Sequence, residues 1–164
     1  MDERGGGGPC WSLPDDLVVA ALALSRDGQR GLARLQSQRG PSRLWRLQRG
    51  PRGFQRRSDP APPGVRLHAA ALSPDGERIA ALDDRGALML WAFAQGTSGE
   101  PLFTLPKQPD PLEPRGLRFS PDGEQLALWY RDGAILLFPG SLPALARAVA
   151  AAACPWFAPT AARR

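Results

Sequence analysis

The chain has one histidine, His68, and two cysteines, Cys10 and Cys154, which stand near opposite ends. A serine or cysteine nucleophile needs a base brought against it, but His68 sits beside Leu67 in an apolar-rich run that reads as a strand. A histidine in that setting is a structural residue. Zinc sites take closely spaced cysteine and histidine ligands, and neither cysteine has a near partner, so the sequence predicts neither a metal site nor a disulfide framework. Carboxylate pairs occur at Asp15-Asp16 and Asp83-Asp84. Both pairs fall at turns or strand starts, where aspartate bonds its own backbone, so they are not expected to do acid–base work. Gly5 to Gly8 follow a charged start, and no Gly-Lys-Ser/Thr comes after them, so they build no phosphate cradle. The turns Asp75-Gly76, Asp122-Gly123 and Asp132-Gly133 lack the alternating acids and terminal glutamate of a calcium loop. No catalytic residue, no metal and no cofactor is predicted, and the chain is not expected to be an enzyme.

What remains are side chains suited to binding. The formal net charge is +5, and because Lys107 is the single lysine, 20 of the 21 basic residues are arginine. Ten of those arginines fall between Arg26 and Arg57, against one acid, Asp27. Within that stretch Arg43, Arg46, Arg49, Arg52, Arg56 and Arg57 are candidates for holding a polyanion, either RNA or acidic lipid headgroups. A solvated surface in an arginine-biased sequence would look the same. Gly50-Pro51, Gly53 and the run Pro60 to Gly64 predict an irregular loop here, which would not gather the arginines on one face. Trp129 and Tyr130 end a predicted strand and are candidate interface aromatics, since exposed aromatics commonly anchor protein contacts.

The elements that must carry these side chains are short. At 164 residues the chain has room for one domain with a proper core. Its 18 glycines and 18 prolines fall between apolar runs, a pattern that suits many strands joined by turns. Leu17 to Leu24 is an eight-residue apolar run, far from the roughly 20 residues a spanning helix needs. The Ala-rich run Pro143 to Cys154 is interrupted by Arg147. No basic segment followed by an apolar stretch opens the chain. No membrane span or secretory signal is predicted, and a reducing, cytoplasmic location is expected.

Internal repeats organise the whole. Ala71-Leu-Ser-Pro-Asp-Gly-Glu-Arg-Ile-Ala80 and Arg118-Phe-Ser-Pro-Asp-Gly-Glu-Gln-Leu-Ala127 share a Ser-Pro-Asp-Gly turn, 47 residues apart. In both copies a glycine follows 13 residues after the serine, at Gly86 and Gly133, and an aromatic follows 18 after it, at Trp91 and Phe138. Those two aromatics are expected to be buried at matching places. A third copy begins at Ser25, where Ser-Arg-Asp-Gly28 precedes Gly40 and Trp45, both two residues late, as an insertion of two would make them. Each unit reads as a meander: a strand, the Ser-x-Asp-Gly turn, a returning strand, a second turn, a third apolar strand and an outer strand. The outer strand is missing or degenerate in the last unit, where Pro139-Gly-Ser-Leu-Pro143 breaks the pattern.

Units of this length, with a glycine turn before a strand that ends in Trp91, resemble WD repeats. The similarity covers residues 65 to 138 well and 17 to 47 loosely. The closing Trp-Asp pair of that family is here Trp91-Ala92 and Phe138-Pro139, and His68 lies too close to Ser73 to be its Gly-His histidine. The resemblance implies an all-β fold, a partial β-propeller of about three WD-like blades built as antiparallel four-stranded meanders, with a short Ala-rich C-terminal helix. The predicted layout is a flexible tail over 1–14, blades over 15–140 (a degenerate one at 15–50, then 65–106 and 115–140), and an Ala-rich tail over 141–164. More narrowly, Leu105-Pro-Lys-Gln-Pro109, Arg115 and the exit Phe138-Pro-Gly-Ser141 are similar to the N-terminal propeller segment of the neuroblastoma-amplified sequence family.

That narrower resemblance implies a non-catalytic protein-interaction scaffold in a vesicle-tethering complex for Golgi-to-endoplasmic-reticulum retrograde transport. The partners expected are subunits of a larger complex, and the place is the cytoplasm, peripheral at the endoplasmic reticulum. The alternative is a nucleic-acid-binding module that uses residues 26–57, in RNA-related work such as nonsense-mediated decay. Complete propellers have four to eight blades, so three units either lack most of a ring or assemble with other copies.

Overall fold

The computed structural model describes residues 13, 15–37, 40–57, 64–94, 101–105, 114–145 and 147. Both cysteines, the connection 106–109, nearly all of the predicted N-terminal tail and most of the Ala-rich tail lie outside them. Within the described residues, three antiparallel sheets follow one another along the chain. The first blade is β1 (Leu17–Leu24), β2 (Arg30–Ser37), β3 (Arg43–Gly50) and β4 (Gly53–Arg56). The second is β5 (Leu67–Leu72), β6 (Arg78–Asp83), β7 (Leu88–Ala92) and β8 (Phe103–Leu105). The third is β9 (Pro114–Phe119), β10 (Gln125–Tyr130) and β11 (Ile135–Pro139), which has three strands, as the broken exit predicted.

The Ser-x-Asp-Gly turn is why the meanders start where they do. In all three copies the serine N–H donates to the carbonyl five residues on (Arg30, Arg78, Gln125), and the returning N–H of that same residue donates to the serine Oγ at 2.9 Å. The serine hydroxyl in turn donates to the aspartate Oδ1 (Ser25 to Asp27, Ser73 to Asp75, Ser120 to Asp122). That carboxylate also accepts the N–H of Gln29, Glu77 or Glu124, each at 2.9 Å. The glycine takes a positive φ, 65°, 71° and 78° at Gly28, Gly76 and Gly123, which a residue with a Cβ reaches only with strain. The upstream copy, which has Arg26 where the other two have proline, thus makes the same turn bond for bond.

Strand register corrects one landmark. Ile79 pairs with Trp91 and Leu126 with Phe138, and the corresponding residue of β2, Gly31, pairs with Leu47. Leu47 therefore stands where Trp91 and Phe138 stand, and Trp45 is the counterpart of Met89 and Leu136. The β2–β3 connection carries four extra residues, not two, because Leu47 follows Ser25 by 22 positions where Trp91 follows Ser73 by 18. Trp91 is 1% exposed, while Phe138 is half-buried at the matching place.

The irregular loop predicted around Gly50-Pro51 is also corrected. Residues 43–50 and 53–56 are the last two strands of the first blade, joined by the tight turn at Pro51-Arg52, with Gly53 at φ 103°. Arginine did not prevent strand formation, because alternate residues of β3 face opposite ways. Leu44 and Arg46 point to the second blade, and Trp45 and Leu47 point away from it.

Stacking of the blades makes the core. Leu32 and Leu44 pack against Leu72, Ile79, Ala81 and Trp91 between blades one and two. Leu82, Leu88 and Leu90 pack against Leu117, Phe119, Leu126 and Tyr130 between blades two and three. After β11 the chain turns into helix over 142–145 and 147, with the Leu145 N–H donating to the Ser141 carbonyl at 2.9 Å. Leu145 is fully buried in the second of these clusters.

Candidate interaction surfaces

The six candidate arginines do not form one site. Arg46 is 4% exposed, and its guanidinium donates to the Phe93 carbonyl of the second blade at 2.6 Å, so it is a joint between blades. Arg43 and Arg49 are exposed on the opposite face of β3, six residues and so about 20 Å apart. Arg56 lies 4.7 Å over the Trp45 ring, and Arg52 occupies the β3–β4 turn. Arg57 is exposed just after β4, its N–H donating to the Arg46 carbonyl at 2.7 Å. The exposed aromatic pair is divided as well. Successive strand residues face opposite sides: Trp129 is 38% exposed, whereas Tyr130 is buried between blades two and three. Burial, and then the nearby Asp132 charge, push the Tyr130 hydroxyl pKa up.

Two arginines that sequence reading passed over hold the blades together. Arg30 and Arg78 each stand five residues after the turn serine, and each reaches onto the following blade. The Arg30 guanidinium pairs with Glu77 and lies 5.3 Å from the centre of the Phe93 ring. Arg78 donates to the Gly140 carbonyl at 2.6 Å and lies 5.6 Å from the Phe119 ring. Such cation–ring contacts are worth roughly 0.5–1 kcal/mol at exposed sites. The recurrence of arginine at one repeat offset was the available signal. In the third blade the position holds Gln125, which is exposed.

The turn aspartates make stability depend on pH. For Asp75, burial raises the carboxyl, but the Ser73 hydroxyl, the Glu77 N–H and Arg78 outweigh it and hold it below the ordinary carboxylate range. Asp27 is lowered by the Ser25 hydroxyl and then the Gln29 N–H, and Asp122 by the Ser120 hydroxyl and then the Glu124 N–H. A carboxyl whose pKa is lower in the folded state stabilises the fold above its unfolded value, near 4, and that contribution is lost as pH falls through the folded value. Thermal melts at stepwise lower pH should therefore show a steep loss of stability below about pH 4. The triple variant Asp27→Asn, Asp75→Asn, Asp122→Asn should be less stable at neutral pH and show a flatter acid limb. An unchanged acid limb would contradict this assignment.

The two ends of the stack show apolar faces. On the third blade Trp129, Ile135 and Leu137 are 38%, 64% and 63% exposed, and they share a face because Trp129 pairs with Ile135, and Ala127 with Leu137. On the first blade Leu22 and Leu24 are 62% and 54% exposed. The inner strands line an open groove of about 910 Å³, bordered by Leu22, Leu24, Leu72, Leu117 and Phe119. A separate polar cleft of about 410 Å³ is bordered by His68, Arg34, Arg66, Asp84 and Arg115.

These blades are β-propeller blades. The chain is similar to the β-propeller domain of Cps50 (Swd1) from Myceliophteria thermophila, with 13% identity over 76% of this chain and a TM-score of 0.53. It is also similar to a chain of a mitotic checkpoint complex, with 17% identity over 78% of this chain and a TM-score of 0.59. The match spans 36% of each of those chains, so this chain has the extent of about a third of a propeller protein of that kind. No family model matches the sequence, and no curated protein matches it.

Proposed function

We propose that the chain is a non-catalytic protein-interaction scaffold that binds other polypeptides through its apolar end faces. The observation that carries this reading is the exposure of Trp129, Ile135 and Leu137 together on one sheet face. Aromatic and aliphatic groups gathered at a surface are the usual anchors of protein interfaces. The likeness to propeller chains, one of them in a mitotic checkpoint complex, supports the same class. Within that class we assign the chain to a tethering complex for vesicles returning from the Golgi, working in the cytoplasm and peripherally at the endoplasmic reticulum. The support is the resemblance of the short segments Leu105-Pro-Lys-Gln-Pro109 and Phe138-Pro-Gly-Ser141, with Arg115, to the N-terminal propeller segment of the neuroblastoma-amplified sequence family. Proximity labelling in cells tests it: tethering-complex subunits should be recovered with the wild-type chain and lost with Trp129→Asp, Leu137→Asp. Recovery of no such subunit would overturn the assignment.

The arrangement of the arginines does not favour the nucleic-acid alternative, because Arg46 is buried and Arg43 and Arg49 are far apart along β3. Titration with single-stranded RNA should give only weak binding, in the range of 1 µM or above typical of non-specific contacts, about 10⁻⁴–10⁻⁶ M at physiological salt. Tighter binding that survives physiological salt and disappears when Arg43, Arg49, Arg52, Arg56 and Arg57 become glutamine would make RNA the better reading.

A further inference from the structure

Three arginines from three blades border the polar cleft of about 410 Å³: Arg34 on β2, Arg66 just before β5, and Arg115 on β9. Hydrogen bonds to two neighbouring carbonyls hold its wall together. The Arg34 Nη1 donates to the Leu67 carbonyl at 3.0 Å, the Ser42 hydroxyl donates to the same oxygen at 3.2 Å, and the Asp84 N–H donates to the Arg66 carbonyl at 2.9 Å. Blade one is thereby fastened to the start of β5, and the cleft is set before anything enters it. Among the described residues that border it, Asp84 is the one carboxylate, and none of the three arginines forms an ion pair with a described residue. The Arg34 guanidinium is also short of hydrogen-bond acceptors. Its Nε is buried and has no partner among the described residues, and burial lowers its pKa, as it does for a cation without a counter-charge. A buried donor left unmade is costly, so such an atom marks a place where an acceptor from outside would complete the structure.

A cleft of this make-up takes anions. Guanidinium groups bind carboxylates and phosphates through paired N–H donors, and the Arg66 and Arg115 side chains are exposed and open to a ligand. Asp84 decides between the two kinds of anion. A run of phosphates along a nucleic acid would set like charge against its exposed carboxylate, whereas an acidic peptide carries backbone N–H donors between its carboxylates, and Asp84 and Gln36 can accept them. We infer that the cleft binds an acidic segment of a partner polypeptide, its carboxylates paired with Arg34, Arg66 and Arg115 and its backbone N–H groups turned to Asp84. This rests on the reading of the chain as an interaction scaffold, and it adds a charged site to the apolar faces. The site lies at the end of the stack that carries the β2–β3 and β6–β7 connections, and loops on a rigid scaffold are where binding residues concentrate. Because Arg66 and Arg115 stand in solvent, the attraction is screened by salt.

Fluorescence anisotropy of a labelled hexaglutamate peptide, titrated with the full chain, tests this. Binding should saturate and weaken as salt is raised. The double variant Arg66→Gln, Arg115→Gln changes exposed side chains, so it should keep the wild-type circular dichroism while binding about tenfold more weakly or worse, the size of losing charge-assisted hydrogen bonds. Arg49→Gln, Arg52→Gln removes the same charge at the far end of blade one and should bind as the wild type does. Arg34→Lys keeps the charge but gives up the guanidinium's paired donors, so it should weaken binding as well. No binding by the wild type, equal losses in the two glutamine pairs, or unchanged affinity in Arg34→Lys would overturn the site. A six-nucleotide single-stranded RNA that binds more tightly than hexaglutamate, and is lost with Arg66 and Arg115, would overturn the peptide in favour of nucleic acid. Trp129→Asp, Leu137→Asp should still bind hexaglutamate. A chain that binds hexaglutamate but recovers no tethering subunit keeps the cleft and loses that assignment; the reverse result removes the cleft alone.

Discussion

Trp91→Ala should cost about 3–5 kcal/mol of folding stability, the range for truncating a large buried aromatic. Trp91 is 1% exposed and packs in the cluster between blades one and two, where Leu32, Leu44, Ile79 and Met89 are equally buried. Those neighbours belong to paired strands and cannot collapse far into the space left. A domain of this size has only about 5–15 kcal/mol in total, so the variant should have lost a large part of its margin. Urea titration followed by circular dichroism measures the loss, with Phe138→Ala as the comparison. Phe138 occupies the same repeat position but is half-buried, so its truncation should cost less. A loss at Trp91 below about 1 kcal/mol, the centre of the distribution for ordinary point mutants, would remove it from the core.

Gly140→Ala should be the most damaging of the single-methyl additions. A Cβ at Gly140 would lie 2.1 Å from the Gly123 carbonyl oxygen, 3.0 Å from the Glu124 carbonyl carbon and 3.1 Å from the Gln125 nitrogen. All three are backbone atoms, so no side-chain rotation relieves the clash. The Gly140 N–H also donates to the Glu124 carbonyl at 2.7 Å, and its own carbonyl accepts Arg78 from blade two. Moving this residue loosens the end of β11 and the joint between blades together. A loss of about 2 kcal/mol or more is expected, the middle of the range for forced overpacking. Gly133→Ala is the control, since φ is +90° there but nothing lies within 4 Å of an added Cβ. A melting temperature for Gly140→Ala equal to or above that of Gly133→Ala would refute the close-approach account.

The turns were legible because everything that makes them is local. Ser73, Asp75 and Gly76 sit within four residues and satisfy one another's hydrogen bonds, so the motif can be recognised from its letters, even in the thinner copy at Ser25. The blades' third strands were legible where they are apolar, as from Leu88 to Ala92. Over 43–50 the strand was legible only through Trp45 as a repeat aromatic, and the burial of Arg46 was not, because the acceptor that allows it is the Phe93 carbonyl, 47 positions away in the second blade. The misplaced landmark at Trp45 has the same origin, since only cross-strand pairing shows that the hairpin is four residues longer and that Leu47 takes the repeated position.

The sequence by itself determined the repeat, the tight turns and the antiparallel meanders, because glycine φ, side-chain-to-backbone bonds and apolar alternation act within a few residues of one another. Only the tertiary structure decided which members of a repeat position are covered. Leu82 and Trp129, Leu90 and Leu137, and Phe119 and Leu24 are pairs that the repeat treats alike, yet one of each is buried and the other open. The physical reason is that a blade's face has no burial of its own: it is covered by whatever sheet stacks upon it, and position in the stack is not written in any single repeat.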